Sequence, residues 1–136
     1  MGPSGTGKSE CWKCLSNARI KQGDKCQIRD LDPKAILTTD FYDYVNLASR
    51  EWKDGIFSCL MREFANAPDT NSKWILLDGD LDAHWIESMN SVMDDNKLLT
   101  LASNERIVVK GHMKLIFKIR DLNLATPATG GEILPL

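Results

Sequence analysis

Gly2-Pro3-Ser4-Gly5-Thr6-Gly7-Lys8-Ser9 satisfies G-x-x-x-x-G-K-[ST] at every fixed position, and a helical apolar pattern starts where it ends. Glycines let consecutive backbone N–H groups converge on phosphate oxygens in conformations that a Cβ would obstruct. The following helix is read over residues 8–20 from the spacing of Cys11, Trp12, Leu15 and Ala18. It brings the positive end of its dipole to the same point. Lys8 would reach the β- and γ-phosphates of a nucleotide, and the Ser9 hydroxyl would bind Mg²⁺. Gly2, Pro3, Ser4, Gly5, Thr6, Gly7, Lys8 and Ser9 are thus all candidate nucleotide-binding residues. A Gly/Ser-rich tail is the bland alternative, and the helix that follows argues against it. A P-loop normally follows a buried strand that aims it. Only Met1 precedes Gly2, so that first strand is expected to be missing.

Working outward, Gly23-Asp24 is a turn signal and Cys26 to Asp30 a short strand. Asp32-Pro33 opens a loop that runs toward Ser49, a candidate N-cap. From Arg50 to Asn66, Trp52, Ile56, Leu60 and Phe64 recur every fourth residue, with Phe57 and Met61 widening the stripe, which predicts an amphipathic helix. Trp74-Ile75-Leu76-Leu77-Asp78 reads as a strand buried on both faces and ending in an acid. Asp82 can cap a helix that buries Trp85, Ile86, Met89, Val92 and Met93. Leu98 to Leu101 and Arg106 to Val109 form a predicted hairpin across Ser103-Asn104-Glu105, and Leu115 to Ile119 is another core strand. Alternation of helix and buried strand predicts an α/β fold, a parallel sheet flanked by helices.

Composition narrows the class. The chain has 136 residues, 17 Lys+Arg against 19 Asp+Glu, and a net charge of −2. It allows one domain with one core. The balanced charge leaves no electrostatic footprint for nucleic acid, and Lys110, Lys114 and Lys118 are too sparse to make one. No apolar run approaches a membrane span, and the start has no secretory pattern, so an intracellular unit is expected. Cys11 and Cys14 form a C-x-x-C, but His84 and His112 lack metal-ligand spacing. Structural cysteines are therefore expected rather than a zinc or redox site. Trp52, Trp74 and Trp85 are read as packing residues.

A P-loop ATPase needs an acid at the end of a neighbouring strand, and usually a glutamate after it to polarise the attacking water. Asp78 supplies the acid and, with Ser9, the metal ligands; the next residue is Gly79, which cannot act as a base. Asp80 would face the same way only if the strand continued through Gly79, which a glycine disfavours. Losing a general base typically costs about 10²–10⁴-fold in rate while leaving phosphate affinity largely intact. The chemistry read here is binding without efficient hydrolysis.

Longer words in the chain are family-specific. Asp32 to Ile36, Arg50 to Gly55, Trp74 to Asp80, Trp85 to Asn90, Asp94 to Lys97, Leu99 to Ile107 and Ala125 to Thr129 together resemble a dynein heavy chain. The resemblance covers residues 2–129, is nearest the second AAA+ module of the six-module motor ring, and is more axonemal than cytoplasmic in wording. It implies an AAA+ type P-loop NTPase at residues 1–129, with residues 130–136 a divergent tail. It also implies ATP or ADP with Mg²⁺, held tightly in a structural or regulatory role within a microtubule motor of cilium movement. Implied partners are the other AAA+ modules and dynein complex subunits, with microtubules touched only indirectly, in the cytoplasm, cytoskeleton and cilium axoneme. No nucleic acid and no membrane partner are implied. Position by position, Gly5, Gly7, Lys8 and Ser9 become phosphate and Mg²⁺ residues and Asp78 the Walker B acid. Asp121 falls about where a polar sensor sits near the γ-phosphate, with a plain strand-end acid as the alternative.

The chain departs from the family in several places. Thr129 is followed by Gly130-Gly131-Glu132, where the family continues Val-Ser-Arg-Ala-Gly, so an Arg aimed at a neighbouring nucleotide is absent. The helical lid and an adenine-binding segment are also expected to be missing. Asp43 replaces a usual Gly, and Leu47-Ala48-Ser49 replaces Pro-Ala-Thr. Lacking about five apolar side chains of the first strand, at about 1.5–3 kcal/mol each, the isolated chain is expected to be marginal, oligomeric or aggregation-prone. Two rival functions remain. A stand-alone P-loop ATPase or kinase would need basic residues to clamp the transferred phosphate, and none follows Asp121. The other is a non-binding structural remnant.

Overall fold

The computed structural model describes residues 1–123, apart from the side chains of Ala83 and His84. In chain order the elements are α1 (Lys8–Lys21), β1 (Gln27–Leu31), a 3-10 turn at Pro33–Ala35, α2 (Thr38–Phe41), β2 (Tyr44–Val45) and β3 (Trp52–Lys53). Then come α3 (Ile56–Asn66), β4 (Lys73–Asp78), α4 (Ala83–Ile86), a 3-10 turn at Glu87–Met89 and α5 (Asn90–Met93). Strands β5 (Leu98–Thr100), β6 (Arg106–Val108) and β7 (Met113–Lys118) complete the described chain. The domain boundary at residue 129, the tail beyond it and the Ala125 to Thr129 word lie outside the described residues.

The main sheet runs β1-β4-β7, all parallel, with Trp74 to Leu77 in its central strand. Residues Lys73 to Leu77 are buried in succession, the burial a parallel strand covered on both faces requires. Lys73, only 1 % exposed, pairs there with the Asp69 carboxylate. The core beneath gathers Phe57, Met61 and Phe64 of α3 with Trp85, Ile86, Met89 and Val92. The predicted hairpin forms, with Leu99 opposite Ile107. The helix predicted after Asp82 divides into α4, a 3-10 turn and α5, yet keeps its predicted apolar face inward.

The helix predicted from Arg50 starts instead at Ile56. Arg50 is left-handed, at φ 57°, and Trp52 and Lys53 pair antiparallel with Val45 and Tyr44. Ser49 is no N-cap; its hydroxyl accepts from the Glu51 N–H at 3.3 Å. Trp52 is 36 % exposed, with its Nε1 donating to Asp54 at 2.7 Å, and is not a core residue. Gly55 decides where α3 begins. A Cβ there would lie 2.4 Å from the Phe41 carbonyl oxygen, so only glycine lets the two backbones pass. Its N–H donates to Asp43 Oδ1 at 2.6 Å. The stretch expected as loop, from Asp32 to Ser49, is therefore partly ordered around Phe41, which stacks on Phe57 with centroids 5.1 Å apart.

Asp43 acquires a role that the sequence does not advertise. Its side chain is fully buried and pairs with Arg62 of α3 at 3.3 Å, and the same guanidinium bridges to Glu105 at 2.9 Å and Asp54 at 3.5 Å. Hydrogen bonding from Arg62 holds the Glu105 carboxyl below its usual range. One cation thus ties the β2–β3 ribbon and the β5–β6 hairpin to α3.

The opposite side of the sheet is less complete. Within β7 the even-numbered backbone groups face β4, as Gly79 N–H donating to the Lys118 carbonyl illustrates. The odd-numbered groups face away, and at the strand's end the Ile119 and Arg120 carbonyls accept from Gly2 N–H at 3.2 and 3.0 Å. Among the described residues no strand pairs with this edge of β7. Between it and α1 runs a groove of 640 Å³ lined by Cys11, Trp12 and Leu15 of the helix and Leu76, Ile116 and Phe117 of the sheet. Leu15 and Ile20 are accordingly 55 % and 51 % exposed, and the only buried residue of α1 is Ser16. The helical spacing read for α1 is present, but its apolar stripe faces this groove. The cysteines are free rather than disulfide-linked, and Cys11, Cys14 and Cys59 are exposed, which corrects their reading as packed structural residues. No helix among the described residues is long and apolar enough to cross a membrane.

Gly55→Ala should lower unfolding stability by about 1–3 kcal/mol or more in urea denaturation, since the neighbour it meets is backbone. Arg62→Leu should cost about 3 kcal/mol by leaving the Asp43 carboxylate buried without its cation, and Asp43→Asn in that background should recover part of the loss. Because a sheet edge that no described strand pairs, beside an apolar groove, recruits other chains, sedimentation should show concentration-dependent self-association that Ile116→Lys reduces. A monomer at all concentrations would contradict that.

Candidate functional site

The glycine loop and the start of α1 are built by backbone conformation. Gly5 and Gly7 sit at φ 82° and 79°, left-handed values that let the chain arch and turn directly into the helix. Gly7 is the N-cap and has no side chain to offer, so the first-turn amides of α1 carry no side-chain cap. Those N–H groups, with the helix dipole behind them, form an anion-binding end. The Lys8 ammonium lies inside the arch on the carbonyls of Gly2 and Pro3, and the Thr6 hydroxyl donates to the Pro3 carbonyl at 2.9 Å.

This loop forms one wall of a 620 Å³ cavity across the C-terminal ends of all three sheet strands. Gly2, Pro3, Ser4 and Lys8 face Asp32 and Lys34 beyond β1, Asp78, Gly79 and Asp80 at the end of β4, and Lys118, Ile119 and Arg120 at the end of β7. Carboxyl ends of parallel strands are the usual binding edge of such sheets, and the volume suits a small ligand. Four cationic side chains, Lys8, Lys34, Lys118 and Arg120, stand against three carboxylates, which favours a polyanion.

Asp78 is the last residue of β4, half exposed toward the cavity, and its Oδ2 accepts from Lys118 Nζ at 2.5 Å. β4 ends there, as the glycine after it predicts. Asp80 nonetheless lines the cavity, accepting from the Arg120 N–H at 3.1 Å and lying 4.0 Å from Lys34. Gly79 is close-packed: an added Cβ would stand 3.2 Å from Asp32 Oδ1 and 3.5 Å from Pro33 Cδ. A glutamate at this position would meet an existing carboxylate.

The sequence-predicted residues divide accordingly. Gly2, Pro3, Ser4, Lys8 and Asp78 line the same cavity. Gly5, Thr6 and Gly7 complete the arch behind it, and Ser9 is half-buried in the first turn of α1 and does not line it. Asp121 lines an adjoining depression with Lys34, Asp80 and Arg120, and its Oδ1 accepts from the Asn123 N–H at 3.0 Å. Sequence reading missed Asp32, Lys34, Lys118 and Arg120, which reach the cavity only because three strands end at one level. One signal was available for Lys118, an oppositely charged residue closing each of two apolar strands. His112, which lacks metal-ligand spacing, contacts the Phe64 carbonyl through Nε2 at 3.2 Å.

Mg²⁺ is commonly held by one or two carboxylates plus substrate phosphates rather than by an all-protein cage. Asp78 supplies one such carboxylate at the cavity, and the Ser9 hydroxyl is a hard-oxygen donor in the first turn of α1. Among the described residues no group of three or more His, Cys, Asp or Glu could hold a metal by itself.

Comparison with known proteins agrees with this architecture. Residues 1–130 match the family described as AAA domain, dynein-related subfamily. The chain is 57% identical over 142 residues to the flagellar outer arm dynein alpha chain of Chlamydomonas reinhardtii, covering 95% of this chain and 3% of that one. It is 51% identical over 129 residues to dynein axonemal heavy chain 17 of Mus musculus, and 50% identical over 129 residues to the ciliary dynein beta chain of Tripneustes gratilla. Each of these alignments again covers 95% of this chain and 3% of the relative, so the chain spans a small part of their length.

Proposed function

The chain belongs to the dynein-related subfamily of AAA domains, and on that premise we propose that it is a nucleotide-binding module of an axonemal-type dynein heavy chain, corresponding to the second module of the ring. Its α/β sheet flanked by helices is a partial P-loop AAA fold. The observation that carries the reading is the convergence of the glycine arch, Lys8 and Asp78 on one cationic cavity at the strand ends.

In this reading ATP or ADP places its phosphates against the first-turn amides of α1, with the Lys8 ammonium as counter-charge. The Ser9 hydroxyl and Asp78 are the residues that would hold Mg²⁺, which would supply positive charge against the phosphates. Asp121 is assigned to the γ-phosphate side of the site. Hydrolysis is weak or absent, because the position after Asp78 is a glycine packed against Asp32 and Pro33, and no carboxylate there takes a proton from water. Nucleotide then acts as a ligand that stabilises the module within the ring. The partners are the neighbouring AAA modules and dynein subunits, the site of action is the cytoskeleton of the cilium axoneme, and microtubules are engaged only through the rest of the motor. Residues 1–129 would form the module and 130–136 a separate tail.

A stand-alone ATPase or kinase is disfavoured by the same glycine. Binding of a fluorescent ATP analogue tests the proposal. Lys8→Ala should weaken it about 10–100-fold, the loss of one or two charge-assisted hydrogen bonds. Phosphate release from ATP should stay at background. Unchanged affinity in the variant would remove the P-loop assignment, and steady turnover would favour the enzyme.

A further inference from the structure

We propose that Lys118 is a resident counter-ion for Asp78, occupying the position of charge that a divalent metal would take and making nucleotide binding here only weakly dependent on Mg²⁺. This rests on the nucleotide-binding reading above and adds how that site is regulated.

The placement comes from the sheet. Lys118 is the last residue of β7 and is paired in register with Asp78, the last residue of β4. Their side chains meet at 2.5 Å beside the cavity, with Lys118 the more buried, 22 % exposed against 46 %. The other cations nearby are turned elsewhere: Lys8 to the carbonyls of its own loop, Lys34 toward Asp80 at 4.0 Å and Arg120 toward Asp121 at 3.9 Å. Lys118 is therefore the charge on this carboxylate.

Two consequences follow from charge alone. A bare Asp78 would repel an incoming phosphate, and a divalent ion ordinarily removes that repulsion. Here a fixed ammonium already does so. Conversely, a metal ion at Asp78 must share the carboxylate with the Lys118 ammonium bonded to its Oδ2, or displace it, and so gains less there than at a bare acid. Each ligand's affinity thus responds little to the other, since coupling between metal and nucleotide is one reciprocal free energy. Lys118 acts on the phosphates through Asp78 and is a positioning residue.

The experiment measures affinity for a fluorescent ADP analogue on the full chain, in EDTA and in saturating MgCl₂. The parent should bind within about threefold in the two conditions, whereas Lys118→Met should open a gap of about tenfold or more by losing affinity in EDTA. Lys118→Arg, which keeps the charge, should behave as the parent, and circular dichroism should show all three folded. A gap of tenfold in the parent, or the same small gap in Lys118→Met, overturns the proposal while leaving nucleotide binding intact. No binding by any variant in either condition removes the nucleotide reading as well.

Discussion

Parallel pairing of β4 with β7, residue for residue from Lys73 opposite Met113 to Asp78 opposite Lys118, sets the positions of the remaining parts. It ends two apolar strands at one level and places an acid beside a lysine there. It also presents the Ile119 and Arg120 carbonyls to the Gly2 N–H, so the glycine loop is hooked to the sheet at the same end. Slipping the pairing by one residue would turn every β7 side chain to the other face. Trp85 would lose its stacking on Phe117, and Lys118 would leave Asp78.

The two sides of this sheet are held by different physics. On the α3 side, close packing dominates. Phe41 lies flat on Phe57, Gly55 passes against the Phe41 backbone, and Arg62 links three acids from three segments. On the α1 side two anchors stand out, one in the loop before the helix and one near the helix's end. Gly2 is bonded to the end of β7, and near the other end Arg19 lies over the Trp74 ring, 5.7 Å from its centroid, while pairing with Asp24. Between these anchors lies an apolar groove. The loop that would bind phosphate therefore sits on the less densely packed side, the side where local opening costs least.

Long, strongly patterned segments were legible. Trp74 to Leu77 is apolar without interruption and is buried on both faces. Phe57, Met61 and Phe64 recur at helical spacing and are all fully buried. The errors arose where periodicity ran past a backbone event. Trp52 lies four residues before Ile56 and so extends the α3 stripe, but the left-handed Arg50 and the constricted Gly55 end any helix between them. Asp43 stands out in the sequence only as a departure from a family pattern; its role as a buried carboxylate exists once the fold brings Gly55 and Arg62 to it. The exposure of Cys11 and Cys14 is not legible in the sequence, because helical spacing tells which residues share a face and not whether anything covers it.

By itself the sequence determined local features: glycines where the backbone is left-handed, a lysine and a serine opening a helix, and, at Asp78, an acid that ends an apolar strand and is followed by glycine. These are local properties, decided by each residue's own sterics and charge. Only the tertiary structure decided which charges share the cavity. Asp32, Lys34, Lys118 and Arg120 come from distant segments, and strand register, a cooperative property of the whole sheet, brings them to one edge.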